Sequence, residues 1–225
     1  MKNKFQKFHF LSLIFFIMVP LGTLLHESGH YLASKYYKLQ PCLHYASVTN
    51  DLHQKEKQLT DSIIHSVNLN TEQKKELYDE VLKLRKVSFN ISLAGPLLNM
   101  GLGSICFLIL LSFGSKIHHH RYKWWFIFGS FMWSRQIINF MMGVLNLLIN
   151  DKWGRSDETK LSHYMNLPVY FFELIFAVFG SIILLVVYMR FMNRDERVSF
   201  VLAGIIGGGF STLIWFKLLG PYCLP

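Results

Sequence analysis

A chain of 225 residues in which 52% are hydrophobic, 16% aromatic and only 16% charged is unlike an average soluble domain. Its net charge of +9 is spread over the polar connections and forms no basic stripe interleaved with aromatics, which argues against a nucleic-acid partner. Cys42, Cys106 and Cys223 show no paired spacing, so neither a disulfide framework nor a cysteine metal site is indicated.

Apolar residues arrive in five blocks, each long enough at about 1.5 Å per residue to cross a hydrocarbon core of about 30 Å. The expected fold is therefore an all-α integral membrane protein, multi-pass, with about five transmembrane helices. Lys2, Lys4 and Lys7 precede the first block in the manner of a signal peptide. No small-residue cleavage site follows, so the block reads as a retained span over about 8–38, with Pro20 as a kink point.

Residues 39–89 form the one sizeable polar segment, an insertion that looks too short and too poor in strand signals for a separate peptide-binding domain. Residues 43–48 fit a short strand, and Asn70-Thr71-Glu72-Gln73 fits a helix start with a capping-box pattern. Leu77, Val81 and Leu84 continue it as an amphipathic helix to about Val87. A solvated helix packed on the membrane domain is the main reading of that helix, and substrate gating the alternative.

The second span covers about 88–113 and contains Gly95-Pro96, a pair that loosens helical hydrogen bonding where protein or water compensates. The third, about 124–149, carries Arg135, Gln136 and Asn139 near its middle. A polar connection at 150–168 holds Asp151, Asp157 and Glu158. The fourth and fifth spans cover about 169–192 and 198–219, and Gly207-Gly208-Gly209 suits close packing or a break.

The chemical signal is His26-Glu27-Ser28-Gly29-His30, an H-E-x-x-H at the end of the first apolar block. On a helix, His26 and His30 share one face and both imidazoles can reach one metal ion. Glu27 is turned about 100° away, out of the ligand set but able to contact a metal-bound water. With five spans, His26, His30, Gly95-Pro96, Asn99 and the 150–168 aspartates all fall in one half of the membrane, and this convergence weighs more than the motif alone.

Together these residues resemble the site-2 protease family of intramembrane zinc metalloproteases. His26-Glu27-Ser28-Gly29-His30 is similar to its H-E-x-G-H, and Gly95-Pro96-Leu97-Leu98-Asn99 to its G-P-x-x-N. Asn146-Leu147-Leu148 followed by Asp157 loosely resembles its third motif, an Asn-containing turn leading to Asp-Gly. Here Ile149 stands where the proline belongs, Glu158 where the glycine belongs, and the Asn-to-Asp separation is longer than usual. The likeness covers a core of about 8–160 apart from the 39–89 insertion; residues 161–225 would add two further helices.

The resemblance implies a zinc-dependent endopeptidase acting on membrane-embedded protein substrates. One Zn²⁺ would be held by His26, His30 and Asp157, with Asp151 and Glu158 as competitors for the third position. Glu27 would be the general base, and Asn99 and Asn146 would position the substrate or the developing oxyanion. Asn99 serves equally well as a helix–helix hydrogen bond. Arg135 has no role in the family pattern and is expected to pair with a carboxylate such as Glu173 or with backbone carbonyls. His118-His119-His120 reads as a solvated loop on the far side.

Three other readings remain open: a prenyl-protein-processing zinc protease, a non-catalytic membrane scaffold or regulator, and a membrane metal transporter. The default location is a bacterial plasma membrane. The resemblance favours a cytosolic catalytic side, against which the three N-terminal lysines argue.

Overall fold

The computed structural model describes residues 2–65, 71–114 and 120–224, and it is mostly helical. Helix α1 spans Lys2–Tyr36 and passes through Pro20 without ending. A hairpin of two three-residue strands follows, β1 (Cys42–His44) and β2 (Ser47–Thr49), paired antiparallel with Leu43 opposite Val48. The single strand expected over 43–48 is thus two strands around a turn at Tyr45-Ala46.

Helix α2 (Leu52–His65) has no counterpart in the sequence reading. Its start is set by Asn50, whose side-chain oxygen accepts from the Leu52 N–H at 3.1 Å while its amide donates to Ser34 at 3.1 Å. The next helix, α3, runs unbroken over Thr71–Phe113. The amphipathic helix and the second span are one element because no glycine or proline intervenes before Gly95-Pro96. The Asn70 of the expected capping box lies outside the described residues. Leu39, Leu52 and Ile91 join Leu84 and Val87 in a small core that docks α2 on the polar half of α3.

The third apolar block is divided into α4 (His120–Ser130), a 3₁₀ turn (Phe131–Trp133) and α5 (Ser134–Asn150). The turn carries Trp133, which packs where Gly103 leaves room and donates from its indole N–H to Ser104 at 3.2 Å. Of the triple histidine, His118 and His119 lie outside the described residues and His120 begins α4. The chain continues with α6 (Asp157–Tyr164) and α7 (Phe171–Val186), the latter extended by a π-helical turn to Phe191. The last span is α8 (Arg194–Ala203), α9 (Gly209–Ile214) and α10 (Gly220–Cys223), joined by π-helical turns at Gly204–Gly208 and Trp215–Leu219.

Four of these helical runs are long and apolar enough to cross a membrane: Phe5–Tyr36, Glu72–Phe113, Phe171–Phe191 and Arg194–Cys223. The third expected block, between His120 and Asn150, is not one uninterrupted helix, because the 3₁₀ turn at Phe131–Trp133 splits it. Large apolar side chains such as Phe10, Ile17, Ile182, Leu185 and Phe210 point outward, as expected of helices solvated by lipid. Leu11, Leu110, Phe128, Val187 and Phe200 fill the centre.

The last span lies along α1 in the same direction. Lys7 pairs with Glu196 near its start, Ser211 donates to the Phe16 carbonyl farther on, and at its end Tyr45 after α1 accepts from Trp215 and donates to Leu224. Gly207 makes this close approach possible, since a Cβ there would fall 2.9 Å from the Ser12 carbonyl carbon. Gly208 and Gly209 face open space instead.

A candidate metal centre between α1, α3 and α6

Helix α1 delivers His26, Glu27 and His30 to a level where they are 1%, 5% and 7% exposed. Buried polar groups at that depth require partners. One partner is α3, which approaches very closely: a Cβ on Gly29 would lie 2.5 Å from the Ala94 carbonyl oxygen. Gly95 on α3 then faces the imidazoles. A Cβ there would sit 2.9 Å from His26 Nε2 and closer still to His30 Nε2. The glycine therefore leaves a cradle that no other residue could leave.

The third contributor is Asp157, the first residue of α6. Its Oδ2 lies 3.0 Å from His26 Nε2 and 3.0 Å from His30 Nε2, and the two Nε2 atoms are 3.1 Å apart. His30 Nδ1 is 2.6 Å from the Ile91 carbonyl oxygen, which can only accept. The proton of a neutral His30 is thus on Nδ1, and its Nε2 lone pair points into the triangle. At most one ring proton, that of His26, lies among three electron-rich atoms. A cation resolves that crowding, and the donor set of two imidazoles and one carboxylate can hold a metal ion.

Asp157 is steered to this position from both sides. Ser156 caps α6, accepting from the Thr159 N–H at 3.1 Å, while Thr159 Oγ1 accepts from the Ser156 N–H at 2.9 Å. Lys160 donates to Asp157 Oδ1 at 2.9 Å. Burial opposes ionisation of Asp157. The contacts with His26 and His30, with the charge of Lys160, nevertheless hold its carboxyl well below the usual carboxylate range.

The competitors for the third position lie elsewhere. Asp151 is the left-handed C-cap of α5, with φ 53° and its N–H on Leu147. Glu158 is fully buried, receives the Asn139 amide at 3.3 Å, and burial pushes its carboxyl up. Neither joins the group formed by His26, His30 and Asp157.

A cleft of about 600 Å³ opens onto this triangle. Glu27, His30 and Asp157 line its floor, and Ala46, Ser47 and Val48 of the hairpin form one wall. Arg135 and Asn139 of α5 line another. Arg135 is the main residue that the sequence reading left out of the site. It forms no ion pair among the described residues, and its Nε is buried without a hydrogen-bond partner. The expected Glu173 partner is taken by Trp153 and Ser156 instead. The signal was present in the sequence, since an arginine in an apolar span is a functional candidate by default.

Asn99 and Asn146 do not line the cleft. Asn99 is 1% exposed and donates to the Gly22 carbonyl at 3.1 Å, joining α3 to α1. Asn99→Ala is expected to lower stability by about 1 kcal/mol, the scale of an interhelical hydrogen bond. Thermal unfolding in detergent would register this, with metal content unchanged. Asn146 is half-buried, donating to the Lys152 carbonyl at 2.7 Å and accepting from Asn150 at 2.8 Å. It therefore secures the chain leaving α5 rather than reaching the metal group.

The chain matches no known family model, and neither the curated proteins nor the solved structures yield a similar one.

Proposed function

We propose that this protein is a zinc-dependent intramembrane endopeptidase that hydrolyses peptide bonds of membrane-embedded protein substrates, as its resemblance to the site-2 protease family implies. The observation that carries the reading is the convergence of His26 and His30 with the distant Asp157, beside a Glu27 that faces the same cleft but is not part of the group. Zinc held by these three side chains would supply Lewis acidity toward water and the peptide carbonyl. Glu27 takes the proton of the attacking water at its carboxylate and returns it to the leaving amine. Ile91 orients His30 through its carbonyl, and Lys160 orients Asp157.

A substrate helix keeps its amides internally bonded and must unwind before attack. The polar cleft wall of Ser47, Asn50, Ser88 and Ser92 supports this, because it offers hydrogen-bond partners to an unwound segment. The test is metal removal. Purified protein is expected to carry one zinc per chain and to cleave a membrane-spanning test protein. Cleavage should stop with 1,10-phenanthroline and return when zinc is restored. Protein that carries no zinc and cleaves nothing would sink the protease reading and favour a scaffold.

A further inference from the structure

Asp157 meets His26 and His30 at the end of a loop, Asp151-Lys152-Trp153-Gly154-Arg155-Ser156, whose placement bears on where its carboxylate sits. That loop has no proline, and Gly154 loosens it further. Lys160 cannot locate it, because it sits on the same short helix as Asp157. The anchor comes from α7. Trp153 Nε1–H donates to Glu173 Oε2 at 2.7 Å, and the Ser156 hydroxyl donates to Glu173 Oε1 at 2.5 Å. Both carboxylate oxygens are thus spent on two residues of the segment leading to Asp157.

Glu173 is 1% exposed and has no cationic partner among the described residues. A carboxylate in an apolar span is costly unless it has a task. Gly143 on α5 keeps the space open, since a Cβ there would fall 2.6 Å from the Trp153 ring and 2.9 Å from Glu173 Oε2. The loop is therefore clasped between α5 and α7, and the peptide bond after the clasped Ser156 begins the ligand residue.

We infer that Glu173 is a positioning residue of the metal centre, acting through Trp153 and Ser156 to set Asp157 against the histidine pair. This makes α7, which lies outside the three-span core, a structural part of the site. The inference rests on the reading of His26, His30 and Asp157 as metal ligands.

Its test is zinc affinity, read by competition with a chromogenic chelator on the full-length protein in detergent. Glu173→Gln is expected to weaken zinc about 10- to 100-fold, the usual effect of removing an outer-shell partner. Trp153→Phe is the second variant: it keeps the ring contacts with Phe140 and Tyr170 and deletes only the indole N–H. It should weaken zinc in the same direction by a smaller factor, and it decides the matter if Glu173→Gln does not fold. A purely architectural role would lower the melting temperature and leave zinc affinity of the folded protein unchanged, which would overturn the inference. Asp157→Asn separates the two failures. If it weakens zinc while the clasp variants do not, only the clasp is wrong. If wild type and Asp157→Asn bind zinc alike, the metal-centre reading falls and takes the clasp with it.

Discussion

Glu27→Gln is expected to keep its zinc and lose cleavage by about 10²- to 10⁴-fold, the range contributed by a positioned general base. The substitution preserves volume in a side chain that is 5% exposed, so packing is retained. It removes the basic oxygen pair and nothing from the metal group, which comprises His26, His30 and Asp157. Zinc content and turnover must therefore part company. If the variant cleaved at the wild-type rate, the base would lie elsewhere and the mechanism would be wrong.

Gly95→Ala should do the reverse, destroying the centre while leaving every ligand in the sequence. The added methyl would meet both imidazoles, at 2.9 Å from His26 Nε2 and nearer to His30 Nε2. Neither ring can retreat, because His30 is fixed through the Ile91 carbonyl and Gly29 already holds α1 against α3. Overpacking of this kind costs about 1–3 kcal/mol. If that falls on the zinc-bound geometry, affinity drops by about fivefold to more than a hundredfold. Gly101→Ala in the same helix is the control: nothing lies within 4 Å of its added methyl, so zinc binding should be untouched.

The two predictions also mark which parts of the site a sequence can disclose. His26, Glu27 and His30 were legible because their relation is local: helical periodicity places them before any tertiary contact forms. Gly95 was legible as part of a motif, but its distance to the imidazoles depends on α1 meeting α3 at Gly29. Asp157 was reached only through a resemblance with a damaged third motif, and proximity in the fold selects it over Asp151 and Glu158. Arg135 carried a signal, as an arginine in an apolar span, but the role of Glu173 was beyond reach, because its pairing with Trp153 and Ser156 leaves no periodic trace.

Among the elements, α2 was missed for a related reason. Its apolar positions are sparse, and the residue that starts it, Asn50, acts through a contact with Ser34 on α1. The split of the third block was invisible because Phe131-Met132-Trp133 contains no glycine or proline to break the apolar run. Its 3₁₀ geometry accompanies the seat that Gly103 provides for Trp133.

The hairpin that walls the cleft is tied to the far end of the chain. The Tyr45 N–H donates to the Leu224 carbonyl at 3.0 Å, the Trp215 indole donates to the Tyr45 carbonyl at 3.3 Å, and Gly220 leaves room for the Tyr45 ring. A purification tag or fusion attached behind Leu224 would pull on the same backbone that borders the opening over the metal group. Handles for isolating the protein therefore belong ahead of Lys2–Tyr36, which begins well away from His26.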